Sequence, residues 1–241
     1  MNMEFIKSEL KKIFRDSMMK FMLAYPLVLA LIARFGLPAI ADSTGFEIEH
    51  FADLVIVILI LLTPALFGAL LAFSILDDRD DGIFIAIKTT PLSLNHFIIF
   101  RLVLFFIMTF VAGVFVVWAS DIGNLTFNTL LGVSFLASLG VPMTGLIINM
   151  FSSNKIEGFA VMKGINIIVV FPIIALFFLD YKEFFFSFAP GFWPAKAISV
   201  AIRGEELFNL SFNQYYIIGL IYVIFLNIMI YRTFIKKQFA Q

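Results

Sequence analysis

Residues 54–76 read LVIVILILLTPALFGALLAFSIL, an uncharged run that ends abruptly at Asp77, Asp78, Arg79, Asp80 and Asp81. An α-helix needs about 20 apolar residues to cross a hydrocarbon core of roughly 30 Å, and this run meets that length. A barrel strand would need only about 9–11 residues with alternating polarity, and the run does not alternate. A helix is the remaining solution, because backbone polar groups in lipid must be satisfied within the segment itself. Further runs of the same kind flank it: Phe21–Ala41, Phe97–Trp118, Phe127–Phe151, Gly158–Leu179 and Tyr215–Phe234. The chain is 61% hydrophobic with a mean hydropathy of +1.01, more apolar surface than a soluble domain of this length could cover. The expected fold class is an all-α integral membrane protein with six transmembrane helices over residues 21–241, leaving no room for a separate soluble domain.

Net charge is zero, so charge placement carries the information. With the N-terminus inside, the inner side holds Lys7, Lys11, Lys12, Arg15, Lys20, Arg79, Lys88, Arg101, Lys155, Lys163, Arg232, Lys236 and Lys237, against Arg34, Lys182, Lys196 and Arg203 outside. That bias places both termini in the cytoplasm. Residues 1–20 put Ile6, Leu10, Ile13, Phe14 and Ser17 on one helical face with Lys7, Lys11 and Arg15 off it, the pattern of an N-terminal amphipathic interfacial helix. A cleaved leader ending at Ala39-Ile40-Ala41 fits less well, because the charged leader is too long and Arg34 intervenes. Arg34 and Arg101 are expected to snorkel to the two interfaces. The acidic outer loop (Asp42, Glu47, Glu49, His50, Asp53) reads as a solvated loop, with no metal expected from a lone His. With no Cys there is neither a disulfide nor a thiolate metal site.

Two connectors stand out. In residues 77–96 the acids lead to a turn at Gly82, then Ile83-Phe84-Ile85-Ala86-Ile87-Lys88, which fits a short helix. Pro91 should stop it and Ser93 should cap the helix carrying the third span. Residues 180–213 are rich in Phe yet broken by Pro190, Gly191 and Pro194. They read as two short helices dipping into the outer leaflet, a re-entrant hairpin between helices 5 and 6. Pro142 and Pro172 lie inside spans four and five, and Gly132, Gly140 and Gly145 offer close helix approach.

Enzymatic signatures are missing. The sequence has no Gly-x-x-x-x-Gly-Lys-Ser/Thr phosphate loop, no His-Glu-x-x-His and no Gly-x-Ser-x-Gly. Glu205-Glu206 has no His partner at helical spacing. No catalytic residue is expected. Few charges lie deep in the runs, which argues against a proton- or sodium-coupled carrier.

This layout resembles the permease subunit of ABC-2 type transporters, with bacterial drug- and peptide-export permeases closest in size. Asp80-Asp81-Gly82, Ile85-Ala86-Ile87 and Thr90-Pro91-Leu92-Ser93 resemble that family's acidic-Gly, apolar, Thr-Pro-Leu-Ser signature, and Pro190-Gly191-Phe192-Trp193 its proline-and-tryptophan element. Asp81 and Ile83 depart from the Glu before and the Thr or Ser after the glycine that the family often carries. The resemblance implies one membrane half of an ATP-driven exporter in the bacterial cytoplasmic membrane. Two such halves, identical or related, would join two separate ABC ATPase subunits that hold the ATP and Mg. This chain itself would bind no cofactor and no nucleic acid. Asp81, Gly82, Ile85, Ile87 and Lys88 would couple to the ATPase. A path for amphipathic or hydrophobic cargo, drug or membrane-active peptide, would run by Thr63, Pro64, Phe67, Asn166 and Phe171. Phe188, Pro190, Phe192 and Trp193 would form an outer gate. A haem-export permease of cytochrome maturation and a non-transporting membrane assembly factor are the alternatives.

Overall fold

A computed structural model describes residues 17–45, 47–89 and 93–239. The expected interfacial helix of residues 1–20 falls almost wholly outside them. Among the described residues the chain is helical with no strand, and six helices are long and apolar enough to cross a membrane. These are span one (Leu23–Thr44), span two (Ile48–Asp80), span three (Leu94–Ser120), span four (Phe127–Phe151), span five (Lys155–Ala175) and span six (Phe212–Lys237). A connector helix (Ile83–Lys88) joins spans two and three, and a hairpin helix (Phe192–Arg203) lies between spans five and six.

Local chemistry sets the boundaries. Ser93 accepts from the His96 N–H, Thr126 from Thr129, and Asn154 from Glu157, so spans three, four and five each begin on a side-chain cap. Glu157 Oε2 accepts in return from the Ser153 N–H at 2.7 Å, a reciprocal capping arrangement. Gly82 adopts φ +69° between span two and the connector helix, a left-handed turn that favours glycine. Span one loosens into a π-helical turn over Ile32–Gly36 just before Pro38, where the proline can donate no N–H. Span four is two helices, Phe127–Ser138 and Gly140–Phe151, broken at Leu139. Pro142 gives the Ser138 carbonyl no partner. At the same break Asn227 of span six donates to the Leu139 carbonyl at 2.9 Å.

Span two is the centre of the bundle, buried from Ala52 to Leu76 along most of its faces. It packs on the second half of span four, on span three, on the hairpin helix and on span five. Glycine permits the tightest contact: a Cβ at Gly145 would sit 2.6 Å from Leu71 Cδ2, and one at Gly68 would sit 2.6 Å from Thr144 Cβ. Span five is lightly held, with only Gly158, Pro172 and Ala175 buried.

Three expectations change. The acids Asp77–Asp80 are not a loop but the last turn of span two. Within that turn Asp78 is fully buried and paired with Arg101. Arg101 does not snorkel: it is 1% exposed, ion-paired with Asp78, donates to Ser74 O at 3.0 Å and to Ser74 Oγ at 2.8 Å, and stacks over the Phe97 ring. A partner within reach makes burial cheaper than extending the guanidinium to water. Of the two short helices expected in the outer hairpin, the first is a 3-10 helix over Tyr181–Phe186 and only the second is α-helical, with a further 3-10 turn over Glu205–Leu207. Arg34, by contrast, does reach an edge, half exposed and paired with Asp121 at 3.0 Å.

Candidate functional site

The hairpin helix carries Lys196, Ser199 and Arg203 at i, i+3 and i+7, so the three share a face. Each meets an acid brought by another element. Lys196 Nζ lies 2.5 Å from Glu183 Oε2, with both side chains wholly buried, and donates to the Phe178 carbonyl at 2.6 Å. Glu183 also accepts from the Tyr215 hydroxyl of span six and from Asn209 Nδ2 at 2.9 Å. Ser199 donates to Asp53 Oδ2 at 2.5 Å and Arg203 to Asp53 Oδ1 at 2.8 Å. Asp53 opens span two and is 1% exposed. The hairpin is therefore fastened to spans two and six by charge. Burial pushes the Lys196 ammonium below its ordinary value, and the Glu183 carboxylate works against that shift.

Beneath the hairpin an apolar cavity of about 120 Å³ is lined by Leu61 and Pro64 of span two, Gly140 of span four, Asn166 and Pro172 of span five, and Pro190 of the hairpin, among others. Proline and glycine line it from several elements. A missing N–H or a missing Cβ leaves helices that bend and approach without filling the gap. Asn166 supplies a side-chain amide and Thr144 a hydroxyl in a lining that is otherwise apolar.

Of the residues expected along a cargo path, Pro64 and Asn166 meet in this cavity together with Pro190 of the expected gate. Thr63 is buried and turns its hydroxyl back to the Leu59 carbonyl at 2.9 Å. Phe67 instead lines a separate cavity with Pro26 of span one and Met108 of span three. Phe171 packs on Phe188 and Phe186 of the hairpin at 5.1 and 6.3 Å between ring centres. Phe192 and Trp193 are core residues at 0% and 7% exposure, seated against Tyr215 and Tyr222, whereas Phe188 is half exposed. Spacing on span two could not separate Pro64 from Phe67, since residues three apart stand only about 60° apart around a helix; the division comes from which helices pack against each. Nothing local could have named Glu183 or Asp53 as partners of the hairpin.

In the connector, Asp81 is exposed and Gly82 makes the turn. Ile85 is 71% exposed, while Ile87 and Phe84 are buried at 8% each, Phe84 edge-on to Phe97. Lys88 closes the helix; Pro91 lies outside the described residues. One face of this short helix holds to the bundle and the other is free. No group of His, Asp or Glu among the described residues is placed to hold a metal ion.

A model of the family described as "Fluoroquinolones export permease protein Rv2686c-like" matches residues 9–231. Two curated proteins of Mycobacterium tuberculosis, the fluoroquinolones export permease proteins MT2760 and Rv2686c, are each 26% identical over 223 residues, spanning 86% of this chain and 88% of theirs. No solved structure matches.

Proposed function

The chain belongs to the Rv2686c-like fluoroquinolones export permease family, an ABC-2 type drug-export group, and on that premise we propose that it is one membrane half of an ATP-driven drug exporter. Its cargo is amphipathic and aromatic, of the class named for the relatives. A second permease subunit and two ABC ATPase subunits complete the machine in the bacterial cytoplasmic membrane, with both termini of this chain in the cytoplasm. The family match favours drug export over haem export and over an assembly role.

The observation that carries the cargo reading is the cavity between spans two, four and five under the hairpin. Its chemistry suits such a cargo: apolar walls give affinity, and a single amide at Asn166 gives orientation. Its present volume of about 120 Å³ is below the roughly 300–1,000 Å³ of a drug-sized site. Cargo entry therefore requires span five, with few buried positions, to move outward. ATPase closure would drive that motion through the connector helix, whose exposed face presents Ile85 beside Asp81.

The test is co-expression with the partner ATPase and reconstitution in liposomes, following a fluorescent fluoroquinolone. The expected result is ATP-dependent movement across the bilayer that needs both subunits. Movement that ignores ATP, or ATPase activity indifferent to the permease, overturns the reading.

A further inference from the structure

We propose that the inner ends of spans two, four and six form a binding site for the phosphate of an anionic phospholipid headgroup. A polar cavity of about 200 Å³ is lined there by Arg79, Asn149, Ser152, Ser153 and Lys237, with Met150 and Phe151 at its margin. At roughly 30 Å³ per water of liquid that volume matches about seven waters, room enough for a phosphate group.

The walls are built to receive an anion. Arg79 is anchored from behind, Nη1 donating to the Ser152 carbonyl at 2.9 Å and Nη2 to the Asn149 carbonyl at 3.4 Å. Its Nε is buried with no hydrogen-bond partner among the described residues. The Ser152 hydroxyl, on a residue 4% exposed, is likewise buried and unpartnered. Buried donors are normally satisfied, so these two call for an acceptor, while Asn149 Oδ1 in the same lining is a buried acceptor without a partner among the described residues. Lys237 adds a second cation, donating to the Met150 carbonyl and lying 6.0 Å over the Phe151 ring. No carboxylate is among the residues lining the cavity; Asp80 acts on Arg79 from the neighbouring position, and Glu157 is engaged in capping Ser153 and Asn154.

A guanidinium, an ammonium and a hydroxyl converging on one space match a phosphate oxyanion. The setting selects the lipid source over the free ion. The site lies at the end of three spans that the charge bias assigns to the cytoplasmic leaflet, where basic pockets between helices hold anionic headgroups. Beside it Phe151 and Ile156 stand 69% and 84% exposed, an apolar surface for the acyl chains. Such a lipid would brace the end of span two, one turn from the connector helix. The inference does not rest on the export reading, because it is tested without transport.

The full chain is purified in detergent with phosphatidylglycerol or phosphatidylcholine, and lipid retention is read by native mass spectrometry. The expected result is preferential retention of phosphatidylglycerol, reduced about tenfold in Arg79→Gln/Lys237→Gln and about threefold in Lys237→Gln alone, whose exposed side chain is dispensable for folding. Equal retention of both lipids, or of phosphatidylglycerol by wild type and Lys237→Gln, overturns the site. In a second arm the delipidated protein is titrated with inorganic phosphate. Saturable binding lost in the double variant, combined with unchanged phosphatidylglycerol retention, overturns the lipid source.

Discussion

Replacing Glu183 by Ala leaves the Lys196 ammonium in a site where both side chains have no exposure. The Phe178 carbonyl and the face of the Phe208 ring would remain to it among the described residues, and the Tyr215 hydroxyl would lose its acceptor. Breaking a buried ion pair from one side costs about 3–5 kcal/mol. For a chain of this size each kcal/mol lowers the melting temperature by about 2–4 °C, so Glu183→Ala should melt roughly 6–20 °C below wild type. Removing both charges with apolar groups of similar length, Glu183→Leu with Lys196→Met, should recover part of that loss, because no isolated charge stays buried. The assay is thermal and SDS-induced unfolding of the purified chain in detergent, run on wild type, both single variants and the double variant. A coupling of about 2 kcal/mol or more is expected. If the single effects sum to the double within about 0.5 kcal/mol, the two groups act independently and the argument that this buried pair ties the Tyr181–Phe186 turn to the hairpin helix fails.

The span two–span four contact gives a paired test: Gly145→Val drives a side chain into Leu71, which a Cβ alone would approach at 2.6 Å, and should cost about 1–3 kcal/mol of overpacking, while Gly164→Ala, with nothing within 4 Å, should be neutral or slightly stabilising; equal melting points for the two would contradict the observed packing. In the connector helix, Ile85→Asp should leave stability within about 0.5 kcal/mol yet abolish stimulation of the partner ATPase, whereas Ile87→Asp, at a buried position, should destabilise the protein itself; intact stimulation with Ile85→Asp would remove that helix from the coupling route. Since the chain has no Cys, single cysteines report cleanly: Asn166→Cys and Pro64→Cys should be shielded from labelling by a fluoroquinolone and Phe67→Cys should not, and shielding of Phe67→Cys alone would move the cargo path to the cavity that Phe67 lines.

Hydropathy and spacing were enough to find the six spans, the short connector helix and the Ser93 cap, because each depends on neighbours within a few residues. A run such as Leu54–Leu76 needs no partner to declare itself a helix: lipid demands that its backbone bonds close locally. The break in span four was signalled by Pro142 for the same reason, and the small, proline-rich lining of the cavity by Pro64 and Pro190. Charges carry no such local message. Arg101 two turns from a capped helix start looks like any snorkelling arginine, and only the packing of span three on span two puts Asp78 and Ser74 in its reach. Asp53 and Arg203 are 150 residues apart, and Arg79 and Ser152 are 73. An ionisable side chain states what it needs without saying which segment will supply it. The amino-acid sequence by itself therefore determined which segments cross the bilayer; the tertiary structure alone decided which buried charges pair, which residues of span two line which cavity, and where an anion-ready space is left open, because each depends on helices that meet only once the bundle is assembled.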